Sequence, residues 1–242
     1  MGEPKEMMLL YTEGCWKEVA KTPEDSNRTH FKDFKFYYAN IIDYIRVAMC
    51  LLASVTVISD MPWTSAFLLM TQTLLDWVDG PVARAYGQCT IFGSGIDWMA
   101  DVQAQIVIMC WCVLLDKRTF PLLMFITTIE LGMCIFDYAT TATGRYPILE
   151  SPSKDPIYWI LDWSMPRGSY NWFGIFLWLA YPMCILSYCL DMSLNEKSMI
   201  LNAVLKFLEI TLFIPMLMYC WCEFAQFVHI ISKWSEFSRK KI

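Results

Sequence analysis

The chain has 242 residues, 56% hydrophobic and 16% aromatic, with a formal net charge of −5 and a mean hydropathy of +0.37. That apolarity excludes an ordinary soluble domain, and no basic stretch points to nucleic acid as a partner. The apolar residues are gathered in runs, so the expected class is an all-α polytopic membrane protein, embedded in the lipid bilayer, with one domain filling most of the length.

Residues 1–30 read as a polar, partly disordered arm without a visible signal peptide. Residues 31–40, FKDFKFYYAN, mix aromatics with Lys32 and Lys35; they suit an N-terminal interfacial helix at the headgroups, or the first turns of the next helix. About six spans of roughly 20 residues follow, the length a bilayer core demands. They lie near 41–60, 62–80, 96–115, 120–142, 171–190 and 199–230, inside a domain taken as 31–232. The last run is long enough to tilt or protrude. The connection 143–170 holds Pro147, Pro152, Pro156 and Pro166, cannot be one helix, and has room for a short interfacial helix near Tyr158 to Trp163. Residues 233–242 form a basic tail.

Ten cysteines fall mostly within apolar runs and read as small buried hydrophobes. Trp63, Tyr158, Trp159 and Trp172 near span ends read as interfacial anchors. His30 and His229 have no metal-ligand partner at useful spacing. Orientation follows from basic residues near the span ends. One side collects the N-terminal lysines, Arg84, Arg145, Lys154, Arg167 and Arg239-Lys240-Lys241; the other has only Lys117, Arg118 and Lys197. The positive-inside rule then puts both termini in the cytosol. The sequon Asn27-Arg28-Thr29 falls on that side, where it goes unused.

Function concentrates in residues 76–101, DWVDGPVARAYGQCTIFGSGIDWMAD. Asp76 and Asp79 are spaced i, i+3 and Asp97 and Asp101 i, i+4, so on helices each pair shares one face. A carboxylate in a membrane-like setting costs roughly 2.5–3.5 kcal/mol on insertion scales. Two Mg²⁺ would balance four of them and still attract a pyrophosphate. The connecting loop fits: Gly80 and Ala83 allow close approach to the backbone, Arg84 suits phosphate, and Thr90 offers a hydroxyl. Arg46, Glu130, Asp137, Lys206 and Glu209 are further ionisable groups in apolar runs. For Lys206 and Glu209 a bundle-holding ion pair is the preferred reading.

The pattern D-x-x-D-G-x-x-A-R, eight residues, G-x-x-x-D-x-x-x-D resembles the signature of the CDP-alcohol phosphatidyltransferases. It is met at Asp76, Asp79, Gly80, Ala83, Arg84, Gly93, Asp97 and Asp101. Within that family the chain is most similar to the eukaryotic phosphatidylinositol synthases. Asn40-Ile41-Ile42-Asp43-Tyr44-Ile45-Arg46 resembles the opening of their first span, and Ala203 to Leu208 a segment of their last. The resemblance implies two divalent ions, Mg²⁺ or Mn²⁺, held by Asp76, Asp79, Asp97 and Asp101. It also implies a CDP-diacylglycerol site lined by Gly80, Arg84 and Thr90, Asp101 as catalytic proton acceptor, and transfer of a phosphatidyl group to myo-inositol with release of CMP. It further implies an endoplasmic reticulum membrane location, with homodimerisation left open. The chain departs from the resembled synthases at Val102, where they carry Arg, and after Glu130, where Leu131-Gly132-Met133-Cys134 replaces a Ser-His-Trp motif. Those departures bear on the acceptor. Transfer to another alcohol such as glycerol 3-phosphate, and a non-catalytic lipid-binding protein of the same fold, are the alternatives; a transporter is weaker, since no inverted repeat is evident.

Overall fold

The structure, a computed structural model, describes residues 34–88, 90–143 and 172–239. The polar arm, the connection with its candidate helix near Tyr158, Arg145, Lys154, Arg167 and residues 240–242 lie outside the described residues, as does Cys89. Among the described residues a 3-10 turn, Phe34–Phe36, leads into six long helices: α1 Tyr38–Ile58, α2 Pro62–Tyr86, α3 Ile91–Leu115, α4 Phe120–Thr143, α5 Trp172–Ser193 and α6 Met199–Arg239. They stand where the apolar runs place spans, and no strand occurs among the described residues. α1, α5 and the greater parts of α3 and α6 are long and apolar enough to cross a membrane by length and composition. The protein is an all-α polytopic membrane protein. Of the stretch 31–40, the described part is the single 3-10 turn and the start of α1.

The first hairpin turns sharply at Asp60, whose φ is 54°, and Pro62 opens α2 at a position where its missing N–H costs nothing. Across the turn Ser65 donates to Thr56 Oγ1 at 2.8 Å. This pairing satisfies a hydroxyl that sits fully buried. α2 ends at Gly87, in the left-handed region at φ 62°. Its N–H bonds back to Arg84 O, and the Gln88 N–H reaches Ala83 O at 2.8 Å; this is the Schellman arrangement that glycine permits.

α1 packs mainly on α2 and α3, and α5 on α6. The core between them gathers Ala53, Leu69, Ile108, Trp111, Leu177 and Tyr181. Trp111 Nε1 donates to Ser193 Oγ at 3.2 Å, and the Tyr181 and Tyr219 rings lie 5.3 Å apart. Small buried residues such as Ala53 and Cys189 let these helices approach closely. Leu51, Leu52 and Val55 of α1 and Phe207, Ile210 and Phe213 of α6 stay exposed, a natural face for lipid. Cys50, Cys112, Cys184, Cys189 and Cys222 are buried, and the described cysteines carry no disulfide. Trp172 is 86% exposed and Trp63 52%, consistent with placement at an interface.

α6 is 41 residues long, about 60 Å at 1.5 Å per residue. It continues to Arg239, so residues 233–239, read from sequence as tail, are helical. At its other end Lys206 pairs with Glu209 at 2.9 Å and with Asp191 of α5 at 2.6 Å; Lys197 also pairs with Asp191, at 2.5 Å. Lys206 and Glu209 thus form the ion pair preferred for them, with Asp191 as a partner the sequence did not indicate. The side chains of Glu130, Asp137 and His229 lie outside the described residues.

Candidate active site

Three helices meet at one end of the bundle: the first turns of α1, the last turns of α2 and the first turns of α3. Their junction is held by the α2–α3 loop. Gln88 Oε1 accepts the Tyr38 N–H at 2.8 Å, capping α1 from outside its own chain segment. Thr90 Oγ1 accepts the Gly93 N–H at 2.9 Å as the N-cap of α3, a bond of the kind that contributes about 1 kcal/mol. Gly93 is closely packed: a Cβ there would lie 2.7 Å from Asn40 Oδ1 on α1, so the Asn40 side chain would have to move. With glycine present, α1 and α3 come together tightly enough to align their acidic faces.

Asp76 and Asp79 project from α2, Asp97 and Asp101 from α3, all toward Arg46 of α1. Arg46 is 0% exposed. Its Nη1 lies 2.8 Å from Asp79 and 2.5 Å from Asp97; its Nη2 lies 2.5 Å from Asp76 and also pairs with Asp101. A fifth carboxylate, Asp43, one turn earlier on α1, sits 3.1 Å from Nη1. Asp43 lies in the α1 segment that resembles the phosphatidylinositol synthases and is not one of the signature aspartates. Its signal was present: an aspartate three residues before an arginine inside an apolar helix demands a buried partner.

The five side chains form an exposure gradient. Asp43 and Asp79 are 3% and 9% exposed, Asp76 20%, Asp97 32% and Asp101 43%. The cluster therefore has a closed floor and an open side on α3. Oxygens of Asp43, Asp79 and Asp97 fall within 4.8 Å of one another, and so do those of Asp76, Asp97 and Asp101. Asp97 belongs to both groups. Carboxylate oxygens are hard donors suited to Mg²⁺ or Mn²⁺. The formal charge, five carboxylates and one guanidinium, is −4, which two divalent cations would neutralise. The donor set fits the ions that the sequence reading calls for.

Gly80 follows Asp79 directly, and the Arg84 guanidinium folds back over it; a Cβ on Gly80 would meet Arg84 Nη1 at 3.2 Å. Arg84 is exposed and has no acidic partner among the described residues. Its charge is available to a ligand. Thr90 is committed as acceptor in its cap, while its hydroxyl proton remains free to donate.

Over residues 36–186, more than half of its length, the chain matches the profile of the CDP-alcohol phosphatidyltransferases. The chain belongs to that family. The match spans α1 to most of α5 and so contains every carboxylate of the cluster. Among individual proteins, it is 33% identical over 100 residues to the CDP-diacylglycerol--inositol 3-phosphatidyltransferase of Saccharomyces cerevisiae, covering 38% of this chain and 44% of that one. It is 28% identical over 127 residues to CDP-diacylglycerol--inositol 3-phosphatidyltransferase 1 of Arabidopsis thaliana, covering 51% of this chain and 53% of the relative. The chain thus spans about half the length of the curated relatives it matches. No solved structure matches.

Proposed function

We propose that this phosphatidyltransferase family member transfers a phosphatidyl group from CDP-diacylglycerol to myo-inositol, giving phosphatidylinositol and CMP. The observation that carries the reading is the convergence of Asp76, Asp79, Asp97 and Asp101 on one point. The choice of acceptor is supported by the two inositol phosphatidyltransferases it is similar to. Two divalent ions, bound by the signature aspartates, would neutralise the pyrophosphate and the departing phosphate.

The residues divide the work by position. Asp76, Asp79 and Asp97, with Asp101, would hold the ions. Arg84, exposed beside Gly80, binds a phosphate oxygen, and Gly80 keeps that approach open. Asp101, the most exposed of the five carboxylates, is where an alcohol can arrive from the open side. It accepts the proton of the attacking hydroxyl. The alcohol oxygen bonds to the β-phosphorus, the bond from that phosphorus to the oxygen of the CMP phosphate breaks, and CMP leaves with the electron pair. Positioning and charge neutralisation supply most of the acceleration.

Purified full-length protein with CDP-diacylglycerol and Mg²⁺ or Mn²⁺ is expected to release CMP with myo-inositol and with no other alcohol in a panel. Release with glycerol 3-phosphate instead would reassign the acceptor, on which Val102 and the segment after Glu130 bear. Lipid binding without CMP release for any alcohol would make the protein a non-catalytic lipid binder.

The open side of the cluster should face the cytosol of an endoplasmic reticulum membrane, with both termini there. The support for that orientation is the charge asymmetry of the loops. A glycosylation tag after Lys197 is expected to be modified and one after Ile242 is not. The reverse pattern would invert the orientation.

A further inference from the structure

The two terminal nitrogens of Arg46 sit one in each of the two carboxylate groups. Nη1 lies among Asp43, Asp79 and Asp97, and Nη2 contacts Asp76 and Asp101 of the second. A guanidinium placed this way holds both positions at once with a single positive charge. The like charges of the guanidinium and a divalent ion exclude each other at such range. We propose that Arg46 is a built-in cation that divalent ions displace when they load, and that Asp43 is the carboxylate to which it then stays paired.

Three features of the structure support this. Arg46 and Asp43 share α1, one turn apart, whereas the other four carboxylates come from α2 and α3. A swing of the arginine stem leaves the α1 pair within reach of each other while releasing the other two helices. Nε of Arg46 is buried without a hydrogen-bond partner, so the stem is held only at its tip, and a rotamer that satisfies Nε compensates part of the loss. The charges also sort cleanly. Asp43 and Arg46 form a neutral pair, and the four remaining carboxylates match two divalent ions. In the absence of ions the arginine keeps five close carboxylates from repelling one another, so the bundle assembles before it is loaded.

The inference rests on the divalent-ion reading above, and its test separates the two. Free Mn²⁺ is measured by electron paramagnetic resonance during titration of the purified full-length protein, with no lipid and no alcohol present. Wild-type protein that binds no Mn²⁺ would overturn the ion reading itself. Arg46→Gln is expected to bind Mn²⁺ at least about ten-fold more tightly than wild type, because the competing charge is gone. Arg46→Lys, with one nitrogen that cannot occupy both groups, is expected to fall between them, and it carries the test should the glutamine variant not fold. Asp43→Asn is expected to weaken Mn²⁺ binding about ten-fold in the presence of Arg46 and to have no effect in the Arg46→Gln background. Equal or weaker Mn²⁺ binding in folded Arg46→Gln or Arg46→Lys overturns the displacement. An Asp43→Asn effect of the same size in both backgrounds makes Asp43 a direct ligand and overturns its pairing role.

Discussion

Asp97→Asn is expected to lower divalent-dependent CMP release at least about 10²-fold, beyond what losing an outer-shell partner brings, and to weaken CDP-diacylglycerol binding along with it. Asp97 is the one carboxylate within 4.8 Å reach of both groups, so its loss strikes both ion positions, where Asp76 or Asp79 serves one. A neutral amide keeps the shape and a single oxygen but not the charge that holds a dication. Because Asp97 is 32% exposed and Arg46 retains four other partners, the variant should still insert and fold. The measurement is lipid affinity beside CMP release. Wild-type values for both would show that the carboxylate cluster is not an ion site.

Asp101→Asn should behave differently. The rate is expected to fall about 10²–10⁴-fold, the range that general-base assistance supplies, while CDP-diacylglycerol affinity stays close to that of wild type. The physical ground is the exposure gradient: Asp101 borders the open side at 43%, whereas Asp79 lies on the closed floor at 9%. A base must be reachable by the alcohol, and an ion anchor need not be. Loss of affinity in Asp101→Asn equal to that in Asp97→Asn would reduce Asp101 to a ligand.

The helices were legible because each apolar run is long enough to declare itself, and the signature aspartates because their spacings of three and four residues are local. The arrangement around Arg46 was not. Its partners lie 33, 51 and 55 residues away along the chain for Asp79, Asp97 and Asp101, and no periodicity reports which of several intramembrane charges will meet. Asp43 carried a local signal in its spacing to Arg46, but only the packing of α1 against α2 and α3 turns it into a member of the site. Lys206 and Asp191 repeat the lesson at the other end of the bundle, 15 residues apart in sequence and 2.6 Å apart in space. The extension of α6 past residue 230 escaped because polar residues replace apolar ones there, and an apolar run measures lipid contact rather than helix length.

Every charged group of the cluster comes from residues 43–101, carried by three consecutive helices. The Schellman turn at Gly87 and the Thr90 cap, which fix the register of those helices, fall within the same stretch. The carboxylate cluster is therefore a contiguous cassette, while α6 packs on α5 and α4 rather than on the three helices that carry it. Such a division lets substitutions accumulate in α6 without disturbing the charges of the cluster. The cluster and the far side of the bundle can evolve on separate tracks.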